Sequence, residues 1–268
     1  MNGIINLGNT CYMNSVLQLL INCKEFNNII KKYSNNKDIK IIYEFINEYF
    51  ITDTPIKPKK LKNYIENKID FFNNYSQHDS FEFLVLFLDF INSNCNNEIS
   101  TIFNIKTNVN IKCKLINCSN ESIHNENNMY LMLPLKSNLD NCYREYKSTV
   151  RIDKDLIFCE KCNKKTISRK MLCIQEWPNN IIIVFKRFYN NSQKNNNDIN
   201  IPINWRHNYK LIGGIVHSGN SFGGHYVYFG RRHSKFYLFN DSGISELNSK
   251  DLNNLLKKSY ILHYSTLL

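Results

Sequence analysis

Residues Phe81–Ile91 include Phe81, Phe83, Leu84, Val85, Leu86, Phe87 and Leu88, so a helix built here is apolar on nearly every side. Such a helix cannot lie on a surface and must be covered all round. It therefore belongs at the centre of a helical subdomain, with Ser76-Gln77-His78-Asp79 ahead of it resembling a capping box. Asn9-Thr10 are both N-cap candidates, and Val16, Leu17, Leu19 and Leu20 after them predict a helix that Cys11 would open. Asp38–Phe50 repeats Ile41, Ile42, Phe45, Ile46 and Tyr49 at helical spacing. From about Ile99 the pattern changes. Ile181–Phe185 is a continuous β-branched run suited to a buried strand. Leu211–Val216, His225–Phe229, Phe236–Phe239 and Tyr260–Tyr264 read as short strands between Gly-rich or polar turns. Helices first and antiparallel strands later predict an α+β fold. Asp53–Lys60 reads as a connector, and the polar stretches Asn117–Asn128 and Asn190–Asn200 as surface loops. None of them separates two cores, so residues 1–268 read as one domain with subdomains.

The 268 residues are 43% hydrophobic and 13% aromatic, enough for a sizeable core and too much for a disordered chain. No apolar run approaches the roughly 18–20 residues needed to cross a bilayer. Met1–Asn6 lacks the basic and apolar regions of a secretory signal. The expectation is a cytoplasmic or nuclear protein with no membrane partner, whose nine cysteines stay reduced. They then read as free thiols, metal ligands or a nucleophile. The net charge of +11 raises a nucleic-acid reading. The positive residues are dispersed, however, within a general Asn, Ile and Lys bias of the kind an AT-rich genome gives, and no nucleic-acid partner is expected.

Cys11 stands at a helix start, where free backbone N–H groups and the helix dipole favour a thiolate. Its other reading is a small buried hydrophobe. A nucleophile needs a base and a group that orients the base, and Gly223-Gly224-His225 supplies a candidate base. A hairpin turn centred between Arg232 and His233 would set His225 directly opposite Asn240, within cross-strand reach. The order Cys…His…Asn is that of papain-like enzymes, although the papain-type sequence around the cysteine is absent.

Several segments resemble the ubiquitin-specific protease family. Gly3–Gln18 (GIINLGNTCYMNSVLQ) is similar to its cysteine box and Gln77–Leu84 (QHDSFEFL) to a family element. Leu133-Pro134-Leu135, Cys159/Cys162 and Ile181–Phe188 (IIIVFKRF) follow in the family's order. Tyr209–Gly219, GGHYVYF and FNDSG resemble its histidine box, and Tyr260–Tyr264 its final strand. The resemblance implies a papain-like hand, with a helical thumb (about 1–98) and a β palm and fingers (about 99–268) that grip ubiquitin. It implies Cys11 as nucleophile, His225 as general base, Asn240 as its orienting partner, Asn6 as oxyanion donor and Asp241 as a supporting polar residue. Asp79 would help to hold the basic tail of ubiquitin, and Gly223 and Gly224 would line a narrow channel for that tail. In isolation the glycine pair reads equally as a flexible turn.

Cys113-x4-Cys118 and Cys159-x2-Cys162 resemble the two halves of a structural zinc ribbon in the family's fingers, at about 113–162. The first pair departs from the usual two-residue gap. No catalytic cofactor is implied. Cys23, Cys95, Cys142 and Cys173 read as free thiols, and His124 and His217 as structural. The implied activity is a thiol-dependent deubiquitinase, monomeric, acting on ubiquitin or ubiquitin-conjugated proteins. The alternatives are a protease for a ubiquitin-like modifier, a non-catalytic ubiquitin-binding module, and a zinc-ribbon nucleic-acid binder.

Overall fold

A computed structural model describes residues 1–74, 76–148, 150–189 and 193–267. Six α-helices come first: α1 (Cys11–Ile21), α2 (Lys24–Lys32), α3 (Lys37–Ile51), α4 (Lys59–Lys68), α5 (Ser80–Asn94) and α6 (Glu98–Phe103). Then follow β1 (Ile105–Cys113), β2 (Glu121–Asn128), β3 (Leu131–Pro134), α7 (Leu139–Lys147), β4 (Val150–Cys159), β5 (Lys164–Glu176) and β6 (Asn180–Lys186). The chain closes with β7 (Asn204–Trp205), β8 (Tyr209–Asn220), β9 (Gly223–Arg232), β10 (Lys235–Asn240), β11 (Gly243–Glu246), α8 (Ser249–Lys257) and β12 (Ser259–Ser265). The class is α+β, as expected. No helix among the described residues is long and apolar enough to cross a membrane.

The small sheet runs β2-β1-β5-β4 and the large one β11-β10-β9-β8-β12-β6-β3, with β7 paired to β8. All the pairings are antiparallel except β3 on β6. The large sheet is covered on both faces, which is why β6 reads as an unbroken apolar run. Ile182 and Val184 pack with the helical core, whereas Ile181, Ile183 and Phe185 pack with Leu139, Cys142 and Leu256 from α7 and α8. Every residue of α1 is buried, between α5 on one side and β9 on the other. Gln18 within it accepts from the Tyr49 hydroxyl at 2.8 Å and donates to the Asn2 carbonyl at 2.8 Å.

Three local expectations change. The N-cap of α5 is Asp79, whose carboxylate accepts from the N–H groups of Phe81 and Glu82, so Ser76 is no cap. Asn117–Asn128 is not all loop. Glu121–Asn128 forms β2, an edge strand whose polarity fits its solvent-facing position against β1. Part of Asn190–Asn200 lies outside the described residues, and Lys194 within it bridges to Phe188. Strands begin at Ile105, because α6 still occupies Glu98–Phe103.

Two buried histidines make stability depend on pH. His263 is 0% exposed; its Nε2 lies 3.1 Å from Asn180 Oδ1 and its Nδ1 has no partner. Burial pushes its pKa down to about 3, and burial with the neighbouring charges of Lys194 and His225 pushes His217 down to about 4. Both rings stay neutral when folded, but an unfolded histidine titrates near about 6.5. Unfolding therefore takes up protons below that pH, and stability falls by about 1.4 kcal/mol per pH unit for each histidine. The loss begins as pH drops through about 6.5 and levels off near the two folded pKa values. His263→Phe should remove about half of the histidine part of this slope between pH 6.5 and 5, read from urea midpoints. An unchanged slope would show that His263 can be protonated in the folded protein.

Candidate active site

The segment before α1 is organised around one side chain. Asn6 Oδ1 accepts from the N–H of Gly8 at 3.0 Å, the N–H of Thr10 at 3.2 Å and the Thr10 hydroxyl at 3.1 Å. Gly8 (φ 93°) and Asn9 (φ 56°) take left-handed backbone to make this turn, which glycine and asparagine tolerate best. Three donors on Oδ1 fix the amide orientation and turn Nδ2 outward. One Nδ2 hydrogen goes to Asp241 Oδ2 at 2.9 Å, and the second is left for another acceptor. Asp241 is itself left-handed (φ 50°), just past the end of β10. Its Oδ1 accepts from Asn14 at 2.7 Å, and its carbonyl accepts from the N–H of Ile4 at 2.9 Å. A side chain at Gly3 would overlap the Ser242 carbonyl, so the two segments can meet only with glycine there.

Cys11 opens α1 and is 4% exposed. Burial pushes its thiol above the ordinary cysteine range, opposed first by the backbone N–H of Tyr226; the negative charge of Asp241 adds to the rise. The thiolate expected from the helix start is thus overruled by desolvation, which disfavours the charged form. The Tyr226 contact sets the thiol against β9, at the residue that follows His225.

His225 Nε2 lies 2.6 Å from Asn240 Oδ1. An amide oxygen only accepts, so Nε2 carries the hydrogen and Nδ1 keeps its lone pair. The register differs from expectation. Arg232 pairs with Lys235 and Tyr228 with Phe239, which centres the turn one position later and leaves Asn240 facing Val227. His225 and Asn240 are instead diagonal neighbours on one face of the sheet, which long side chains can span.

A cleft of about 500 Å³ is lined by Gln77, Asp79, His217, Gly223, Gly224 and Tyr226, among others. Asp79 Oδ2 accepts from the Tyr226 hydroxyl at 2.9 Å and Oδ1 from the Tyr260 hydroxyl at 3.0 Å, besides capping α5. Gln77 Oε1 accepts from the N–H of Gly224 at 2.9 Å, while a Cβ on Gly224 would overlap His217 and the Ser218 carbonyl. Gly224 is therefore required by close approach, whereas at Gly223 only the end of the Gln77 side chain lies close. Asn14, Gln77 and Tyr226 do work that the sequence reading did not give them. The cysteine box and the Gln77–Leu84 element contain the first two, but only the fold reveals their partners.

Cys113, Cys118, Cys159 and Cys162 bring four sulfurs within 4.8 Å of one another at the tip of the small sheet. Cys113 to Cys162 is 4.0 Å and Cys118 to Cys159 is 3.7 Å. Asn117 (φ 62°) and Asn163 (φ 49°) adopt left-handed turns beside the second cysteine of each pair, so the longer x4 gap closes as the shorter one does. The Thr166 hydroxyl, 3.4 Å from Cys113, holds that thiol below the ordinary range. All nine cysteines are free; Cys23, Cys95 and Cys142 are buried and Cys173 is exposed.

The ubiquitin carboxyl-terminal hydrolase family model matches residues 2–264. Ubiquitin carboxyl-terminal hydrolase Usp2 of Drosophila melanogaster is 27% identical over 326 aligned positions, covering 98% of this chain and 34% of that protein. The chain thus spans about a third of the length of that curated relative. The SAGA Ubp8/Sgf11/Sus1/Sgf73 DUB module bound to ubiquitin aldehyde contains a chain of the same fold: TM-score 0.81, 23% identity, 99% of this chain and 69% of that one. A variant of that module bound to monoubiquitin gives a TM-score of 0.80 and 24% identity, again over 99% and 69%. The fold is that of a papain-like ubiquitin-specific protease, and with the match over residues 2–264 the chain belongs to the ubiquitin carboxyl-terminal hydrolase family.

Proposed function

We propose that the protein is a thiol-dependent deubiquitinase whose whole chain forms one catalytic domain, with Cys11 attacking the carbonyl of the last glycine of ubiquitin. The observation that carries this reading is the 2.6 Å bond from His225 Nε2 to Asn240 Oδ1, which leaves Nδ1 free to accept a proton, on the strand whose next residue, Tyr226, touches the buried thiol. In the resting state the thiol keeps its proton, so the thiolate forms by transfer to His225 Nδ1. Attack produces a tetrahedral oxyanion, and the second Nδ2 hydrogen of Asn6, held in place by Asp241, donates to it. His225 Nδ1 then returns its proton to the departing lysine amine, and water, deprotonated by the same nitrogen, releases the acyl group. The tail of ubiquitin runs through the cleft that Gln77, Gly223 and Gly224 line together, with Asp79 at its wall. The relatives bound to ubiquitin support that substrate over a ubiquitin-like modifier. Nine reduced thiols suit the cytosol or nucleus.

We infer that the four-cysteine cluster holds structural zinc. A tetrahedral ion with Zn–S distances of about 2.3 Å needs sulfurs about 3.8 Å apart, and the spacings of 3.7 and 4.0 Å fit. The ion would tie the turn after β1 to the turn after β4 and would take no part in the chemistry.

Mixing the protein with ubiquitin carrying a C-terminal electrophile should add the mass of one ubiquitin, and Cys11→Ala should abolish the adduct. No adduct on the wild-type protein, or one that survives in Cys11→Ala, would sink the reading. Asn6→Ala should bind ubiquitin while turnover falls by about 10²–10³; a fall in binding alone would remove Asn6 from oxyanion stabilisation. Metal analysis should find close to one zinc per chain, lost with melting temperature in Cys162→Ser. Far less than one equivalent in the wild-type protein would exclude the ribbon.

A further inference from the structure

A second groove, about 640 Å³, opens beside Asn6 and has no part in the scheme above. Its lining includes Asn6, Lys57, Lys59, Lys62, Asn74 and one acidic residue, Glu66. Asn6 borders this groove and not the first cleft, whereas Gln77, Gly223 and Gly224 border the first and not this one. One bond forms part of the wall between them: His78, on the first cleft, lies 2.9 Å from Asn74 Oδ1, on the second.

The backbone explains why lysines collect there. Ile4 and Ile56 form a parallel bridge, with Ile5 N–H donating to the Ile56 carbonyl at 2.8 Å and Ile56 N–H to the Gly3 carbonyl at 3.0 Å. This stitching carries Lys57 alongside Asn6. Lys59 then opens α4, whose first turn holds no acidic residue and whose N-cap position, Pro58, offers no side-chain cap. Cations at a helix N-terminus oppose the dipole, so the segment keeps an unfavourable charge that an anionic neighbour would relieve. Lys62 is paired with Glu66, but Lys57 and Lys59 are exposed and have no ion-pair partner among the described residues.

Resting on the deubiquitinase reading, we propose that this groove receives the leaving side of the scissile bond and favours substrate proteins whose modified lysine lies in an acidic segment. The tail of ubiquitin reaches Cys11 from the first cleft, and its carbonyl oxygen turns to Asn6. The departing amine and the chain that bears it continue past Asn6, where the groove presents Lys57 and Lys59.

The test uses ubiquitin joined by an isopeptide bond to the lysine of two labelled peptides, one with Asp and Glu flanking that lysine and one with Lys and Arg. A third substrate carries only a small fluorogenic amine. The wild-type protein should cleave the acidic peptide with kcat/KM about five- to tenfold above the basic one, the gain expected from a few exposed charge pairs. That ratio should fall towards one in about 0.5 M salt, where screening is strong, and in Lys57→Glu/Lys59→Glu. A ratio near one for the wild-type protein, or a preference that survives both the salt and the double substitution, overturns the proposal. Cleavage of the fluorogenic substrate without any peptide preference defeats this inference alone. Failure to cleave the fluorogenic substrate defeats the deubiquitinase reading and this inference with it.

Discussion

The carboxylate of Asp241 is held on one oxygen by Asn6 and on the other by Asn14, residues 235 and 227 positions away in the chain. Around this clasp the backbone of Ile4 bonds the Asp241 carbonyl, and Gly3 leaves room for Ser242. Closing so long a loop costs conformational entropy, and the clasp alone cannot meet that cost. It persists because α1 is buried along its whole length between α5 and β9. Burial of the helix fixes the clasp, and the clasp fixes the candidate oxyanion donor relative to the end of β10, where Asn240 stands. A methyl group at residue 3 would disturb the site without touching any reacting atom.

A second lock works from the other flank. Asp79 caps α5 with one oxygen and accepts Tyr260 on the same atom, while its other oxygen takes the hydroxyl of Tyr226. One side chain thus ties the helical layer to β9 and β12. Tyr226 also lends its backbone N–H to the Cys11 thiol and follows His225 in sequence. The expected role of Asp79, holding the tail of a bound protein, therefore shares its carboxylate with a structural duty already filled by four donors. Removing it would loosen β9 as well as the cleft wall.

The helices and strands were legible where their residues are buried, because burial imposes a period on the sequence. α7 and α8 went unread although each has an asparagine cap and a short apolar stripe: Leu139, Cys142 and Tyr143 in the first, Leu252, Leu255 and Leu256 in the second. β2 was missed for a different reason. It is an edge strand with almost no apolar residues, held by β1, and its sequence of Asn, Glu and Ser has no period to see. The pairing of His225 with Asn240 was legible as a neighbourhood and wrong as a register. The hairpin turn falls at His233–Ser234, with His233 left-handed (φ 56°), and sequence alone does not say which polar residue takes that position.

Electrostatics was the least legible part, because it depends on depth. The sequence places Cys11 at a helix start, where a charge is favoured, and the fold then buries it, where a charge is penalised. The same Asp241 that orients Asn6 also opposes ionisation of the thiol. Its carboxylate does the first without dominating the second, since burial is the larger cause of the rise. An amide partner for His225 has a matching logic. Asn240 holds the ring through Nε2 and brings no negative charge of its own, which suits the proposed reaction, in which the thiol becomes negative. Burial keeps the proton on sulfur at rest, so in the proposed reaction the imidazole has to remove it, and reactivity would depend on how closely Nδ1 approaches Sγ when the cleft is filled.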